Sequence, residues 1–349
     1  MAFSAAFAAL VSPAVQAQSV TIAASGDILL DRGVATQVKE HGYGYPLAHV
    51  QSTLKSADIA FANLECPLSA TGIPVNKQFV FKANPKMAAC LVDGGLSIMS
   101  CANNHSMDCG RTGIVETMDT LKSHGIKWCG AGATLADALT PTIISVRGVR
   151  VAFVGFCDFL PEGVFLRDDR PTLAMATDAN VRQAVTAARK EADIVVASFH
   201  WGVEFTNRPT DHQRHLAHVA AECGADLVFG HHPHVTQGLE VVHTNGRTCL
   251  IDYSLGNFVF DQHLGYNKDP ESTIILKVIV NRYGLQSASI VPITIHLCAP
   301  SIAKGSDGDV ISRRLTALSA ELGTIVTKRN VILTKATSHN ESSKRRTLP

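Results

Sequence analysis

The sequence predicts an α/β fold, on three observations. Short apolar runs alternate with amphipathic segments through most of the 349 residues. Nearly every histidine, carboxylate or amide with chemical promise stands directly after one of those runs, where open α/β sheets place their ligands. The composition, 46% hydrophobic against 17% charged, supplies a substantial core for one large domain or two average ones.

The elements follow in chain order. Residues 1–17 read as a signal peptide: Ala2–Val11 is apolar and too short to span a bilayer, and Val15-Gln16-Ala17 offers small side chains at cleavage spacing. That predicts an exported protein, periplasmic or on the cell surface. No Lys or Arg precedes the apolar stretch, so a frayed arm on a cytoplasmic protein is the alternative. Strands are expected at Val20–Ser25, Ile59–Asn63, Leu96–Cys101, Val149–Phe156, Ile194–Phe199, Leu227–Gly230, Cys249–Tyr253 and Ile274–Asn281. Ile114, Met118 and Leu121 repeat at helical spacing between Gly110 and Gly125. A second helix opens at Pro209-Thr210-Asp211, carries Leu216, Val219 and Ala220 inward, and stops at Gly224. The character changes near residue 298: Lys304–Asp309 reads as turn chemistry, Val310–Leu322 as an amphipathic helix, and the basic end Ser342–Pro349 as a disordered tail. The expected units are therefore 1–17, 18–298 and 299–349.

Charge and cysteine usage exclude little but exclude it clearly. With Lys+Arg 31 against Asp+Glu 30, nothing argues for nucleic acid as a partner. None of the nine cysteines forms a C-x-x-C pair, and most lie in apolar runs, as small buried hydrophobes do.

The chemistry gathers at the strand ends. Asp27 follows the first expected strand, Glu65 the second, and Asn103, Asn104 and His105 the third. His200 follows Ile194–Phe199, His231, His232 and His234 follow Leu227–Phe229, and Asn257 follows Leu250–Leu255. His232 and His234, one residue apart across Pro233, would face one side of an extended segment and so one metal region. Three imidazoles within Gly230–His234 favour metal binding over a structural cluster. Asp27, Glu65 and Asn104 are the matching oxygen donors. Each has a plainer reading alone: Asp27 as a turn cap, Glu65 as a surface charge, Asn104 as a left-handed turn residue. His105, beside Asn104, suits either proton donation to a leaving oxygen or orientation of a ligand.

Read in order, these segments resemble the CapA/PgsA-type proteins of poly-γ-glutamate capsule synthesis, a branch of the calcineurin-like metallophosphoesterase superfamily. The matching stretches are Gly26–Leu30, Ala62–Ser69, Ala102–Gly110, Gly130–Gly132, His200–Glu204, Gly230–Val235 and Tyr253–Phe258. The resemblance implies a four-layer sandwich, two β-sheets flanked by helices, over residues 18–298. It implies a metal set of Asp27, Glu65, Asn104, His200 and His234 with His232 or His231, and a proton-donating role for His105. Asn103, Asn257 and Glu204, within the same motifs, are the candidate substrate contacts. The implied cofactor is one or two divalent ions, Mn, Fe, Zn or Ni. General metallophosphoesterases open with Asp-x-His, whereas Asp27 is followed by Ile28 and Leu29. One metal position is therefore expected to lack an imidazole.

Three functions stand open at this level: a metal-dependent phosphoesterase, an accessory protein that binds an anionic polymer for synthesis or export, and a metal-dependent amide or ester hydrolase. The expected partners are an anionic polymer or a phosphoester substrate, and a membrane synthesis or export complex.

Overall fold

A computed structural model describes residues 18–333, apart from 264, 266, 267 and 328. The signal-peptide segment and the basic tail of the sequence reading lie outside the described residues. Each of the eight expected strands is present, most extended by one or two residues.

Two sheets form the middle layers. In the first, the strands run in the order Val326–Thr327, Asn330–Val331, Gly284–His296, Ser272–Asn281, Ser19–Ile28, Ile59–Leu64, Ile98–Ser100 and Lys127–Cys129. Asn257–Val259 also pairs with Ser19–Ile28 and Ala299–Ile302 with Gly284–His296. The second sheet runs Leu239–Thr244, Arg247–Asp252, Leu227–His231, Ile194–His200, Val149–Cys157 and Thr142–Val146. The strands that carry the polar residues pair in parallel: Ser19–Ile28 with Ile59–Leu64, that strand with Ile98–Ser100, and Leu227–His231 with Ile194–His200. Their carboxyl ends therefore lie on one edge of each sheet.

The sheets pack through one apolar seam. Val20, Ile22, Ile59 and Phe61 of the first sheet meet Phe153, Val196, Leu227 and Phe229 of the second, all fully buried. The Phe61 ring lies 5.8 Å from Phe153 and 5.4 Å from Phe229, within the range where aromatic pairs attract. A second cluster covers the outer face of the first sheet and includes Val34, Leu54, Leu91, Ile114 and Leu121 from its helices. A third covers the second sheet with Val181, Val185, Leu216 and Ala220. This is the helix–sheet–sheet–helix order that the resemblance implied.

Gly26 decides how the first strand ends. Ser19–Ile28 pairs with Ser272–Asn281 only as far as Ala24, then with Asn257 from Asp27 on. A Cβ on Gly26 would stand 1.9 Å from the Gly256 carbonyl oxygen. The absent side chain admits that carbonyl, which accepts a hydrogen bond from the Asp27 amide at 2.9 Å.

Beyond residue 298 the structure departs from the sequence reading. Ala299–Ile302 and Asn330–Val331 extend the first sheet, so the composition change marks no break in the layers. Lys304–Asp309 is not a turn: the helix begins at Gly305 and runs to Glu321, with Gly308, Ile311, Leu315 and Ser319 buried. Glycine and aspartate are poor helix formers, but one apolar face docked on the sheets overrides that local preference.

Candidate metal centre

The site lies where the parallel strands of both sheets end, and both sheets contribute to it. Asp27 and Glu65 come from the first sheet and are fully buried. His200 and His231 end two strands of the second.

Two groups of donors have their ligating atoms within 4.8 Å of one another: Glu65 with His232 and His234, and Asp27 with Glu65 and His200. Glu65 belongs to both. Its Oε1 lies 3.7 Å from His200 Nε2 and 3.8 Å from His234 Nε2. Neither Glu65 oxygen has a hydrogen-bond partner among the described residues, although both are buried. Burial first, then the charges of Asp27, Glu204 and Asp108, drives its carboxyl well above the usual carboxylate range. A cation between the groups would satisfy those oxygens and offset that cost. The mixture of carboxylate and imidazole suits a divalent transition metal.

Asp27 is held differently. Its Oδ1 accepts from Asn63 Nδ2 at 2.9 Å and its Oδ2 from the His232 amide at 3.2 Å. Burial works against its charge, but His231, His234 and Asn63 outweigh it and hold the carboxyl below its ordinary value.

The imidazoles are fixed by their second nitrogens. His234 Nδ1 sits 2.9 Å from Asn257 Oδ1, an acceptor, so Nδ1 carries the proton and Nε2 keeps its lone pair on the Glu65 side. His200 lies between Asn63 Nδ2, 3.3 Å from its Nδ1, and Asn104 Oδ1, 2.8 Å from its Nε2. Burial, then His232 and the other imidazoles, keeps His200 well below the ordinary histidine value. Burial, followed by His234, pushes His232 down to about 3. Neutral imidazoles are the form that binds metal.

The turn after Gly230 corrects one expectation. His232 and His234 do not lie on an extended segment; their φ angles are +94° and +59°. A left-handed turn, not strand alternation, brings both rings to Glu65. Among the described residues, His232 belongs to a donor group and His231 does not. His231 continues its strand inward, 5.9 Å from the Phe61 ring, with Nδ1 3.2 Å from Asp27 Oδ1 but misaligned for a hydrogen bond. Nor does either donor group lack an imidazole, despite Leu29, which is buried in the first sheet's outer core.

His105 stacks on Phe81 at 3.9 Å, and its Nδ1 meets Asp108 Oδ2 at 2.7 Å. A carboxylate only accepts, so the proton sits on Nδ1 and Nε2 is the nitrogen left for substrate. Burial and Lys77 keep His105 below its ordinary value against the pull of Asp108.

Two residues expected to meet substrate have other tasks. Asn103 is fully buried, donating to Asn63 Oδ1 and the Leu64 carbonyl and accepting from the His105 amide. Asn257, besides orienting His234, donates to Gln262 Oε1 and the Pro270 carbonyl. Both amides are consumed by the scaffold. Glu204 is exposed, and its charge reaches Glu65. Sequence reasoning passed over Asn63, Lys77 and Asp108. A polar Asn63 inside the apolar run Ile59–Leu64 was the available signal for the first.

Known proteins resemble this chain over most of its length. Residues 21–262 match the family described as "Bacterial capsule synthesis protein PGA_cap". "Capsule biosynthesis protein CapA" of Bacillus anthracis is 31% identical, over 86% of this chain and 73% of that one. "PGA biosynthesis protein CapA" of Bacillus subtilis is 32% identical, over 80% and 72%. A Mycobacterium tuberculosis relative named "Probable polyglutamine synthesis accessory protein" is 25% identical, over 86% and 83%. Among solved structures, the 5'-nucleotidase precursor of Thermus thermophilus superposes with a TM-score of 0.48 at 13% identity, covering 87% of this chain and 59% of that one. With a family match across residues 21–262 and two relatives above 30% identity, the chain belongs to the bacterial capsule synthesis protein family PGA_cap.

Proposed function

We propose that the protein is a metal-dependent phosphoesterase acting in capsule or poly-γ-glutamate synthesis. The observation that carries this reading is Glu65: a buried carboxylate, without a hydrogen-bond partner among the described residues, shared between two donor groups that contain His200, His232 and His234. One or two divalent ions there would supply Lewis acidity for an ester oxygen and an acidified water.

The chain's own residues do the rest. Asn257 keeps His234 Nε2 directed at Glu65, and Asn63 steadies Asp27 and His200 together. His105 holds one proton at Nδ1 against Asp108, whose charge favours a second proton taken up from water on Nε2, and that second proton is the one it delivers to a leaving oxygen. Phe159, 4.2 Å from the His232 ring, and Phe205, 6.1 Å from His234, wall the imidazoles from water. The apolar Ala2–Val11 stretch before Val15-Gln16-Ala17 supports work outside the cytoplasm, beside a membrane synthesis or export complex.

The test is a panel of phosphate esters, poly-γ-glutamate and amide substrates offered to chelated and to Mn-, Fe-, Zn- or Ni-loaded protein. Metal-dependent turnover of a phosphate ester is the expected result. Turnover of amide alone, or polymer binding without turnover, would replace this reading. The second outcome would favour an accessory role, the role printed in the name of the Mycobacterium tuberculosis relative.

A further inference from the structure

A buried cation beside the site has a place but no task so far. Lys77 lies in an irregular segment whose neighbours Asn76 and Gln78 are exposed, yet its own side chain is 3% exposed. Its Nζ stands 2.5 Å from Asp108 Oδ1 and donates to the Asn104 carbonyl at 3.0 Å. The same segment wraps Asp108 from its other sides. The Val75 amide donates to the Asp108 carbonyl at 2.8 Å, and the Phe81 amide donates to Asp108 Oδ2 at 2.7 Å. The Phe81 ring covers the His105 imidazole.

A loop clamp would need only one of these contacts. Here a single ammonium touches the carboxylate that orients His105 and the backbone of Asn104, whose side chain meets His200. An ammonium sealed from water persists only when its partners compensate the lost hydration. Asp108 and the Asn104 carbonyl do so, and in return both are pinned. We infer that Lys77 is a positioning residue of the site: it matches the Asp108 charge and fixes both the His105 ring and the turn that presents Asn104. The inference rests on the phosphoesterase reading only for its rate measurement.

Two measurements on Lys77→Met, in the full chain loaded with zinc, test it. Nitrogen-correlated NMR reads the His105 Nδ1–H resonance, assigned by its absence in His105→Gln. That resonance is expected to shift or vanish in Lys77→Met. Turnover of a phosphate ester is expected to lose roughly 10-fold or more in kcat with KM nearly unchanged and zinc retained, the pattern of a misplaced acid–base group. An unchanged resonance would overturn the inference, as would zinc loss that accounts for the whole rate loss. If the parent protein turns over no phosphate ester, the functional reading fails while the resonance still decides the role of Lys77. Lys77→Met leaves Asp108 buried without its counter-charge, so the pair is also removed together as Lys77→Met/Asp108→Asn. That double variant is expected to lose at least as much rate as Asp108→Asn alone, because the Asn104 carbonyl and His105 also lose the neighbouring ammonium. A double variant that recovers rate over Asp108→Asn would mean that Lys77 is only a counter-charge to Asp108, and would likewise overturn it.

Discussion

A carboxylate sealed from water with neither oxygen hydrogen-bonded burdens a fold unless a proton or a cation compensates it. Glu65 stands in that position and serves both donor groups. Glu65→Gln is therefore expected to abolish metal uptake by both groups, while the stability of the metal-free protein is not lowered. Calorimetric titration with Mn or Zn, with thermal melts before and after loading, checks both halves. Asp252 presents a separate case. Burial drives its carboxyl up to about 8, against one hydrogen bond from the Ser254 amide at 3.0 Å. Its ordinary value is 3.8, so between the two values the folded chain holds a proton that the unfolded chain has lost. Stability contributed by the neutral form is full below pH ~4 and falls as pH rises towards ~8. Asp252→Asn should flatten that slope, a change on the order of a few kcal/mol at 1.4 kcal/mol per pKa unit. Urea titrations at pH 5 and pH 8 measure it.

At the scale of elements, close approach of backbone shapes the site. Gly26→Ala would press a methyl onto the Gly256 carbonyl, parting Asn257–Val259 from the end of the strand that carries Asp27. The expected cost is about 1–3 kcal/mol, as for other overpacked sites, with weakened metal binding. Denaturant midpoints and metal titration of the variant check this. The helix Asp211–Glu222 shows what the sequence revealed at this scale and what it hid. Its capping box, Thr210 with Gln213, and its stop at Gly224 follow from local chemistry and were readable. That Gln213 also reaches Gln237, whose amide donates to the Thr206 and Arg208 carbonyls, is a contact across 24 residues that no local pattern announces. The same division explains the histidines. Their number and place after Gly230 were legible, but the left-handed turn at His232 and His234 is imposed by tertiary partners. Asn103 and Asn257 read as open amides because sequence shows residue type, not which neighbours occupy it. The strand Gly284–His296 went unseen because Gln286 and Ser287, exposed near its start, break up the apolar run.

Taken whole, the molecule holds its donors across the seam between two sheets, each with its own outer core. Metal that binds only the folded arrangement must stabilise it, by about 2.7 kcal/mol when free metal exceeds Kd 100-fold. Removal by chelator should lower Tm, and exchange protection of backbone amides should fall together at Ile59–Leu64 and Ile194–His200. Protection lost from one sheet alone would show that the donors do not bridge them. The seam has one more consequence. Phe61, packed between Phe153 and Phe229, is one of the bulky side chains that hold the sheets apart, and with them Asp27 and Glu65 on one side from His200 and His232 on the other. The aromatic stack is in effect a spacer for the coordination sphere. Ionic radius would be gauged by carbon packing deep inside the protein, so shaving one ring to Leu would retune which divalent ion fits without touching a single ligand.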